Sequence, residues 1–547
     1  MFSFTTVGIV LFLESFATLI RAHAPGTHPI YPQVIAAALA LPVLWIRWRT
    51  WKSDAHTKRS AIVKEAAQVT PSSPEKKTIV GFFHPYCNAG GGGEVVLWTA
   101  VAYMQRTEPN VLCVVYTGDT DATKEQIMAK AKSRFDIDLD PSALFFVWLK
   151  SRNMVDATTW PRFTLLGQSV GSVILAMEAL DLLIPDIFID SMGYAFTFPL
   201  VALTSRFFRP ISIGGYVHYP TISTNMLQRV KDRKAGHTNT GDVTGSRWKS
   251  KVKLVYYHIF AFLYSFSLLQ ADKLVVNSSW TKNHVDSLLE TARNRRNRFL
   301  RSRSPPSSHG VQVVYPACNM DKLRVFPTEK RERIILSVAQ FRPEKEHAVQ
   351  IRALKLLLDA QPNLLSGVDH SVRLVLIGGC RTEEDEKRVE DLKGLVNQLG
   401  VQNNVEFVVN APYPTLLDWL SKSSVGISTM VDEHFGINVV EYMASGLIPL
   451  VNASGGPFKD IVVPYAVQPT SEPQPTGFHA NSPEEYATVL ENIFIQTPEE
   501  DLSAMRERAR KSALERFGSN EFEQGWSEFW NVLKDRSKSG MESKKDR

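Results

Sequence analysis

The stretch DEHFGINVVEYMASGLIPLVNASGGP occupies residues 432–457. Phe435-Gly436-Ile437-Asn438 opens an apolar run that suits a helix, and Ile448–Val451 then suits a strand. Gly455-Gly456-Pro457 makes a tight turn after that strand. Free backbone N–H groups at a helix start bind phosphate oxygens. The amides of Gly436 and Ile437 are therefore candidates to touch a phosphate or sugar. Glu433 precedes the helix and can reach the hydroxyls of a bound sugar. Glu441, one turn further in, can accept hydrogen bonds from a nucleotide ribose. Glu-x7-Glu spacing is common in solvent-facing helices, so the weight lies in the Phe-Gly start, Ala444-Ser445-Gly446 and the Gly-Gly-Pro turn in register.

Outward from this unit, strand-like segments recur at Arg333–Val338, Val372–Ile377, Val405–Val408 and Val425–Ser428, each followed by a helical pattern. The first half shows the same alternation at Thr78–Phe83, Val111–Tyr116, Ala143–Val147, Phe163–Leu166, Asp186–Ile189, Ser212–His218, Lys273–Val276 and Val311–Tyr315. Strands apolar throughout imply buried parallel sheets, hence α/β with two Rossmann-like, doubly wound domains. Their strand C-termini face a shared cleft, where such sheets bind ligands. The expected layout is a membrane anchor at 1–51, a linker at 52–77, a first domain at 78–325 and a second at 326–515. A C-terminal helix and basic tail at 516–547 would return to the first domain.

Composition agrees with a large globular protein: 547 residues, 44% apolar, 22% charged, net charge +6. That mild excess excludes a dedicated nucleic-acid binder. Cys87, Cys113, Cys318 and Cys380 form no C-x-x-C pair, which fits a reducing compartment without a disulfide framework or zinc site. Residues 2–20 are apolar apart from Glu14, and a second apolar run, 30–46, leads into Arg47, Trp48, Arg49, Trp51 and Lys52. No Lys or Arg precedes Arg21, unlike a secretory signal. A membrane anchor is expected, as one span or a hairpin of two, with the rest of the chain cytosolic.

SVAQFRPEKEH (337–347) ends a strand and brings Arg342 and Lys345 into the following loop, where they can grip a diphosphate. NAGGGGEVVLW (88–98) puts four glycines at a helix start, and GGYVHYPTIS (214–223) puts His218 at a strand's C-terminal end. These stretches, with NSSWT, VYPACN and the 432–457 unit, resemble the retaining glycosyltransferases of the GT-B fold, family four. Within it they are similar to the dolichol-pathway α-1,2-mannosyltransferases. The resemblance spans about residues 78–535. The chain departs from the pattern at Val95, where a basic residue is expected, and at Asn438, where glycine is expected.

The resemblance implies transfer of the fourth and fifth mannoses from GDP-mannose to a dolichyl-diphosphate-linked oligosaccharide, with retention of configuration. This would occur on the cytosolic face of the endoplasmic reticulum membrane, for protein N-glycosylation. It implies no cofactor and no metal. Other dolichol-pathway mannosyltransferases are possible partners. Arg342 and Lys345 would bind the GDP diphosphate, Glu441 the ribose and Glu433 the transferred mannose. Glu433 and His218 are the catalytic candidates, with His218 orienting a hydroxyl or backbone group. Gly91 and Gly92 would contact donor phosphate or acceptor across the cleft, and Glu94 reads as a cap or hydroxyl binder. Two alternatives stay in view: another GT-B lipid glycosyltransferase, such as one moving N-acetylglucosamine to phosphatidylinositol, and a non-catalytic scaffold of a glycosylation complex.

Several features compete. Asp119-Thr-Asp121 and Asp136-Ile-Asp138-Leu-Asp140 spell D-x-D, a metal–nucleotide signature elsewhere. Gly167-Gln-Ser169-Val-Gly171 matches the hydrolase nucleophile elbow and is expected to follow a strand. Basic stretches at 228–253 and 293–303 read as solvated loops or as contacts to anionic membrane or diphosphate. The apolar segments 187–208 and 254–270 are expected as buried helical layers more than as membrane spans. Lys544-Lys545-Asp546-Arg547 resembles a di-lysine retrieval signal.

Overall fold

The structure is a computed structural model, and it describes residues 53–65, 77–222, 226, 247–300, 310–364 and 371–545. The expected anchor segments, most of the 228–253 stretch and the last two residues lie outside them.

The first domain runs α1 (53–65), β1 (Thr78–Phe83), α2 (Gly92–Thr107), β2 (Val111–Thr117), α3 (Lys124–Phe135) and β3 (Leu144–Trp148). It continues with α4 (Thr164–Leu182), β4 (Ile187–Asp190), α5 (Phe198–Phe207), β5 (Ser212–Val217), α6 (Arg247–Leu268), β6 (Lys273–Val276), α7 (Ser279–Leu300) and β7 (Gln312–Val313). The seven strands are parallel in the order β3-β2-β1-β4-β5-β6-β7. Their apolar character follows from helices on both faces. Along β1, Ile79 and Phe83 enter the core under α4, α5 and α6, while Val80 and Phe82 enter the core under α2.

The second domain comprises β8 (Glu332–Val338), α8 (His347–Ala360), β9 (Arg373–Gly378), α9 (Glu383–Leu399), β10 (Val405–Val409), α10 (Tyr413–Lys422) and β11 (Ser423–Ser428). It closes with α11 (Ile437–Ala444), β12 (Ile448–Asn452), β13 (Phe478–Ala480), α12 (Pro483–Glu491) and α13 (Glu499–Arg516). Its parallel sheet reads β10-β9-β8-β11-β12-β13. In each sheet the order reverses once, between β1 and β4 and between β8 and β11, and a ligand crevice opens at such a reversal. The loops after β1, β8 and β11 carry most of the candidate residues, and His218 follows the neighbouring β5.

The last helix, α14 (Ser519–Lys545), packs on the first domain. Phe522, Trp526, Phe529, Trp530 and Leu533 share one helical face and are buried beside Val80 and Phe82. The Trp530 indole donates to Glu108 at 2.7 Å, and Lys534 pairs with the same carboxylate.

One expected strand is a helix instead. Phe163–Leu166 forms the N-cap and first turn of α4, and Gly167, Ser169 and Gly171 lie inside that helix. The two glycines exist for close packing: a Cβ at Gly167 would meet the Trp160 ring, and one at Gly171 the Met154 carbonyl. Ser169 donates its hydroxyl to the Leu165 carbonyl at 2.6 Å, so no nucleophile elbow is present. The 254–270 segment is helical, with one face buried and the other exposed.

Candidate active site

The loop from Glu433 to the start of α11 is shaped by glycine. Gly436, the N-cap, has φ +99°, and Gly455 has φ +69°, both in the left-handed region that side chains resist. A Cβ at Gly455 would collide with the Glu433 backbone, and one at Gly456 would sit 2.5 Å from the His434 carbonyl. The Gly455-Gly456 turn thus passes directly beneath residues 433–435, and the Gly456 amide donates to the Glu433 carbonyl at 2.7 Å. That turn holds Glu433 toward the cleft.

Lys345 arrives from the loop after β8 and forms an ion pair with Glu433. Burial pushes the Glu433 carboxyl up, but Lys345 and the neighbouring His434 more than offset this, and its pKa lies below the ordinary value. Glu433 is therefore ionised at neutral pH. Thr429 donates its hydroxyl to the Lys345 carbonyl at 2.9 Å, which ties this loop to the end of β11. Arg342 is exposed on the same loop, three residues earlier. Glu441 is half-buried on α11; burial pushes its carboxyl up to about 7, against the pull of Arg134 from the first domain.

Across the cleft, α2 starts at the glycine run. Glu94 turns back on its own helix start and accepts from the Gly90 amide at 2.6 Å and the Gly91 amide at 2.5 Å. The Gly91 amide is thus committed to Glu94, while Gly92 opens the helix and meets the second domain. A Cβ on Gly92 would lie 2.9 Å from Ile437 Cδ1. The starts of α2 and α11 therefore adjoin each other across the cleft. Lys130 and Arg134 of α3 flank Gly90, and Lys130 donates to the Asn88 carbonyl at 2.6 Å. Arg381 of the second domain donates to the Ala89 carbonyl at 3.1 Å.

His218 sits at the end of β5. Its Nε2 is 3.0 Å from the Ser191 carbonyl, so Nε2 carries the proton and donates. Burial pushes the imidazole down to about 4, so it is neutral at physiological pH with Nδ1 left as an acceptor. His84, at the end of β1, bonds the Ser191 hydroxyl through Nδ1 at 2.9 Å and is pushed down to about 3 by burial and by His218. Asp190, just before that serine, accepts from the Met192 and Gly193 amides, and burial raises its pKa to about 7. His84, Asp190, Arg134 and Lys130 carry no motif in the sequence; only the strand order assembles them. Tyr219 stacks on His434 of the other domain, with ring centroids 4.0 Å apart.

Four of the five D-x-D aspartates have structural partners. Asp119 pairs with Arg152 and accepts from the Asn88 amide, so it latches the glycine loop. Asp136 and Asp138 pair with Lys132, and Asp140 caps a short turn. Among the described residues, no group of three or more His, Cys, Asp or Glu is placed to hold a metal ion.

Two Rossmann-like domains, with an acidic helix start and a basic loop facing a glycine-rich helix start, define a GT-B glycosyltransferase. The fold is similar to that of Anabaena HepE solved with UDP and glucose, at TM-score 0.52 and 15% identity over 83% of this chain and 99% of that one. OtsA, solved without ligand, aligns at TM-score 0.57 and 14% identity over 84% and 99%. Residues 77–289 match the family model described as ALG11 mannosyltransferase N-terminus, and residues 320–512 match glycosyl transferases group 1. A Mus musculus relative is 42% identical over 494 residues, covering 90% of this chain and 92% of its own length. Relatives from Homo sapiens and Neurospora crassa are each 43% identical, over 458 and 463 residues, covering 83% and 82% of this chain and 87% and 79% of their own lengths. All three are named GDP-Man:Man(3)GlcNAc(2)-PP-Dol α-1,2-mannosyltransferase. The chain belongs to this mannosyltransferase family.

Proposed function

We propose that the chain moves mannose from GDP-mannose, in α-1,2 linkage, onto a dolichyl-diphosphate oligosaccharide that starts with three mannoses, adding the fourth and fifth residues. The observation that carries this is the Lys345–Glu433 pair at the β8/β11 reversal, just before the α11 start where Ile437 meets Gly92 across the cleft, in a chain of this family. The names of the relatives in mouse, human and Neurospora favour this reading over transfer of N-acetylglucosamine to phosphatidylinositol or a silent scaffold.

In this reading Lys345 and Arg342 meet the donor diphosphate and Glu441 meets the ribose. When the bond to GDP breaks, negative charge grows on the departing phosphate and oxocarbenium character on the mannose. Lys345 neutralises the first. Ionised Glu433 accepts hydrogen bonds from the mannose hydroxyls and fixes the sugar. His218 is a positioning residue: its Nε2–H holds the Ser191 carbonyl, and so the loop after β4, at the cleft wall. The acceptor hydroxyl attacks on the face the phosphate leaves, and the leaving oxygen takes its proton, which preserves configuration. No metal is required in this scheme. The enzyme works at the cytosolic face of the endoplasmic reticulum membrane, where it meets GDP-mannose and its lipid acceptor.

The test is incubation of the purified full chain with GDP-mannose and a trimannosyl dolichyl- or phytanyl-diphosphate acceptor. Products heavier by one and two hexoses, cleaved by an α-1,2-mannosidase, are expected. A protein that binds GDP yet leaves the acceptor mass unchanged overturns the reading.

A further inference from the structure

Three helices on one face of the first domain bury apolar residues inward and also present apolar residues outward. On α6, Tyr257, Phe260, Tyr264 and Leu268 fill the core, while Val255, Ile259, Phe262 and Phe266 are exposed, Ile259 at 57%. The exposed set recurs every three to four residues and so forms one continuous stripe. From Val252 to Phe266 it runs roughly 20 Å along the helix. The adjoining α4 exposes Phe163, at 69%, with Leu166 and Val170, and α5 exposes Leu203 and Phe207. These stripes are contiguous: α4 packs on α5 and α5 on α6. Tyr256 of α6 bonds the Leu166 amide at 3.2 Å, and its ring stands 5.9 Å from that of Phe163. Single exposed apolar residues are ordinary, but a patch spanning three helices marks an interaction site.

Charge identifies the occupant. Neither α5 nor α6 contains a carboxylate. The first on α4, Glu178, is occupied by the amides of Lys150 and Ser151. Exposed cations instead border the patch: Arg162 precedes α4, Arg206 ends α5, and Lys251 lies near the start of α6. Apolar stripes bordered by these cations match a bilayer surface, with side chains in the acyl boundary and Lys or Arg at anionic head groups.

Chain direction agrees. α1 packs on the same layer: Ala55 shares that core, and Lys58 donates to the Asp181 carbonyl at 2.7 Å. The segment before α1 in the sequence contains the apolar runs 2–20 and 30–46, so the chain reaches this layer directly from its most lipophilic part. The N-terminal ends of α4 and α6 lie on the cleft side of the sheet, because both helices run antiparallel to its strands.

We propose that the outer faces of α4, α5 and α6 form a bilayer-docking surface that inserts shallowly into anionic lipid. It adds a second membrane contact to the N-terminal segment and turns the cleft rim toward the head groups. A diphosphate-bearing lipid would then enter the cleft without leaving the membrane.

The experiment reconstitutes the full chain in phosphatidylcholine vesicles with and without phosphatidylserine, doped with a photoactivatable acyl-chain phospholipid. Peptides spanning 163–174 and 252–266 are then read by mass spectrometry. Label on both, rising with phosphatidylserine, is expected. In an Ile259→Asp/Phe262→Asp variant, label on 252–266 should fall about tenfold, while label on residues 1–51, GDP binding and thermal unfolding stay unchanged. Unlabelled α4 and α6 peptides beside labelled N-terminal ones overturn the proposal. So does cross-linking that places residues 1–51 or a second copy of the chain on this face.

Discussion

Lys345 and Glu433, contributed by loops on either side of the β8/β11 reversal, close on each other as an ion pair at the cleft wall. Lys345 helps to hold Glu433 in its charged state. In the proposed reaction a donor's diphosphate and sugar would divide these two charges between them. Lys345→Ala is expected to lower kcat/KM for mannosyl transfer by about a hundredfold or more, the scale for removing one donor to a developing anion. The same change removes the largest opposition to burial at Glu433, leaving His434 alone against it, and raises its carboxyl. The acid limb of the residual rate should move to higher pH, measured from pH 4 to 8. An unmoved limb would separate the two residues.

Glu441 gives a stability signature with the opposite sign from that of a paired carboxylate. Its folded pKa, about 7, lies above the ordinary value, so the folded state keeps a proton that the unfolded chain releases. Stability is full below about pH 4.3 and declines as pH rises through 7. Glu441→Gln removes that penalty and should raise the Tm at pH 8 by about 2 °C while leaving it unchanged at pH 4. Its GDP affinity should lose the pH dependence of the wild type.

His218 is neutral across the working range, and its proton sits on Nε2. The pH–rate profile should therefore show no limb from this imidazole near pH 6.5. His218→Ala should cost about tenfold to a hundredfold in kcat. His218→Gln, whose amide can reach the Ser191 carbonyl, should recover much of it. Equal losses in both variants would mean that the ring itself, and not its hydrogen bond, is needed.

Gly455 and Gly400 have almost the same φ, +69° and +68°, but only Gly455 faces a neighbour; nothing lies within 4 Å of a Cβ at Gly400. Gly400→Ala carries backbone strain alone, about 1 kcal/mol. Gly455→Ala adds a collision with the Glu433 backbone and should cost about 3 kcal/mol or more. It should also displace Glu433 and abolish transfer, read by urea unfolding and turnover together.

Trp530 is fully buried between α14 and the first sheet, and its indole bonds Glu108. Trp530→Ala is expected to destabilise the first domain by about 3–5 kcal/mol. The second domain's unfolding transition should stay in place, as differential scanning calorimetry would resolve.

The strand–helix alternation was legible because parallel strands buried on both faces are continuous apolar runs. Phe163–Leu166 misled for the same reason. Four apolar residues at the start of a largely apolar helix carry no periodicity that distinguishes them from a strand. β13, three residues long, is too short to leave a pattern. Within the site, Glu433, Glu441, Arg342 and Lys345 lie in two compact motifs, and the Phe-Gly helix start and Gly-Gly-Pro turn around them, more than spacing, expose them. His84, Asp190 and Arg134 come from separate strand ends and a helix that meet only through sheet order. The role of Glu94 was half visible: its place three residues into α2 suggests a cap, but only geometry shows it consuming the Gly90 and Gly91 amides.

The return of α14 has a consequence for how the protein is made. Val80 and Phe82, near the beginning of the described chain, are sealed by Trp526 and Trp530, which leave the ribosome more than four hundred residues later. The first domain therefore cannot complete its core when its own segment has been synthesised. Its sheet must wait, with one apolar face uncovered, until the second domain has been translated. Nascent chains halted before residue 519 should be strong clients of chaperones, and release of the last helix would be the step that ends their dependence.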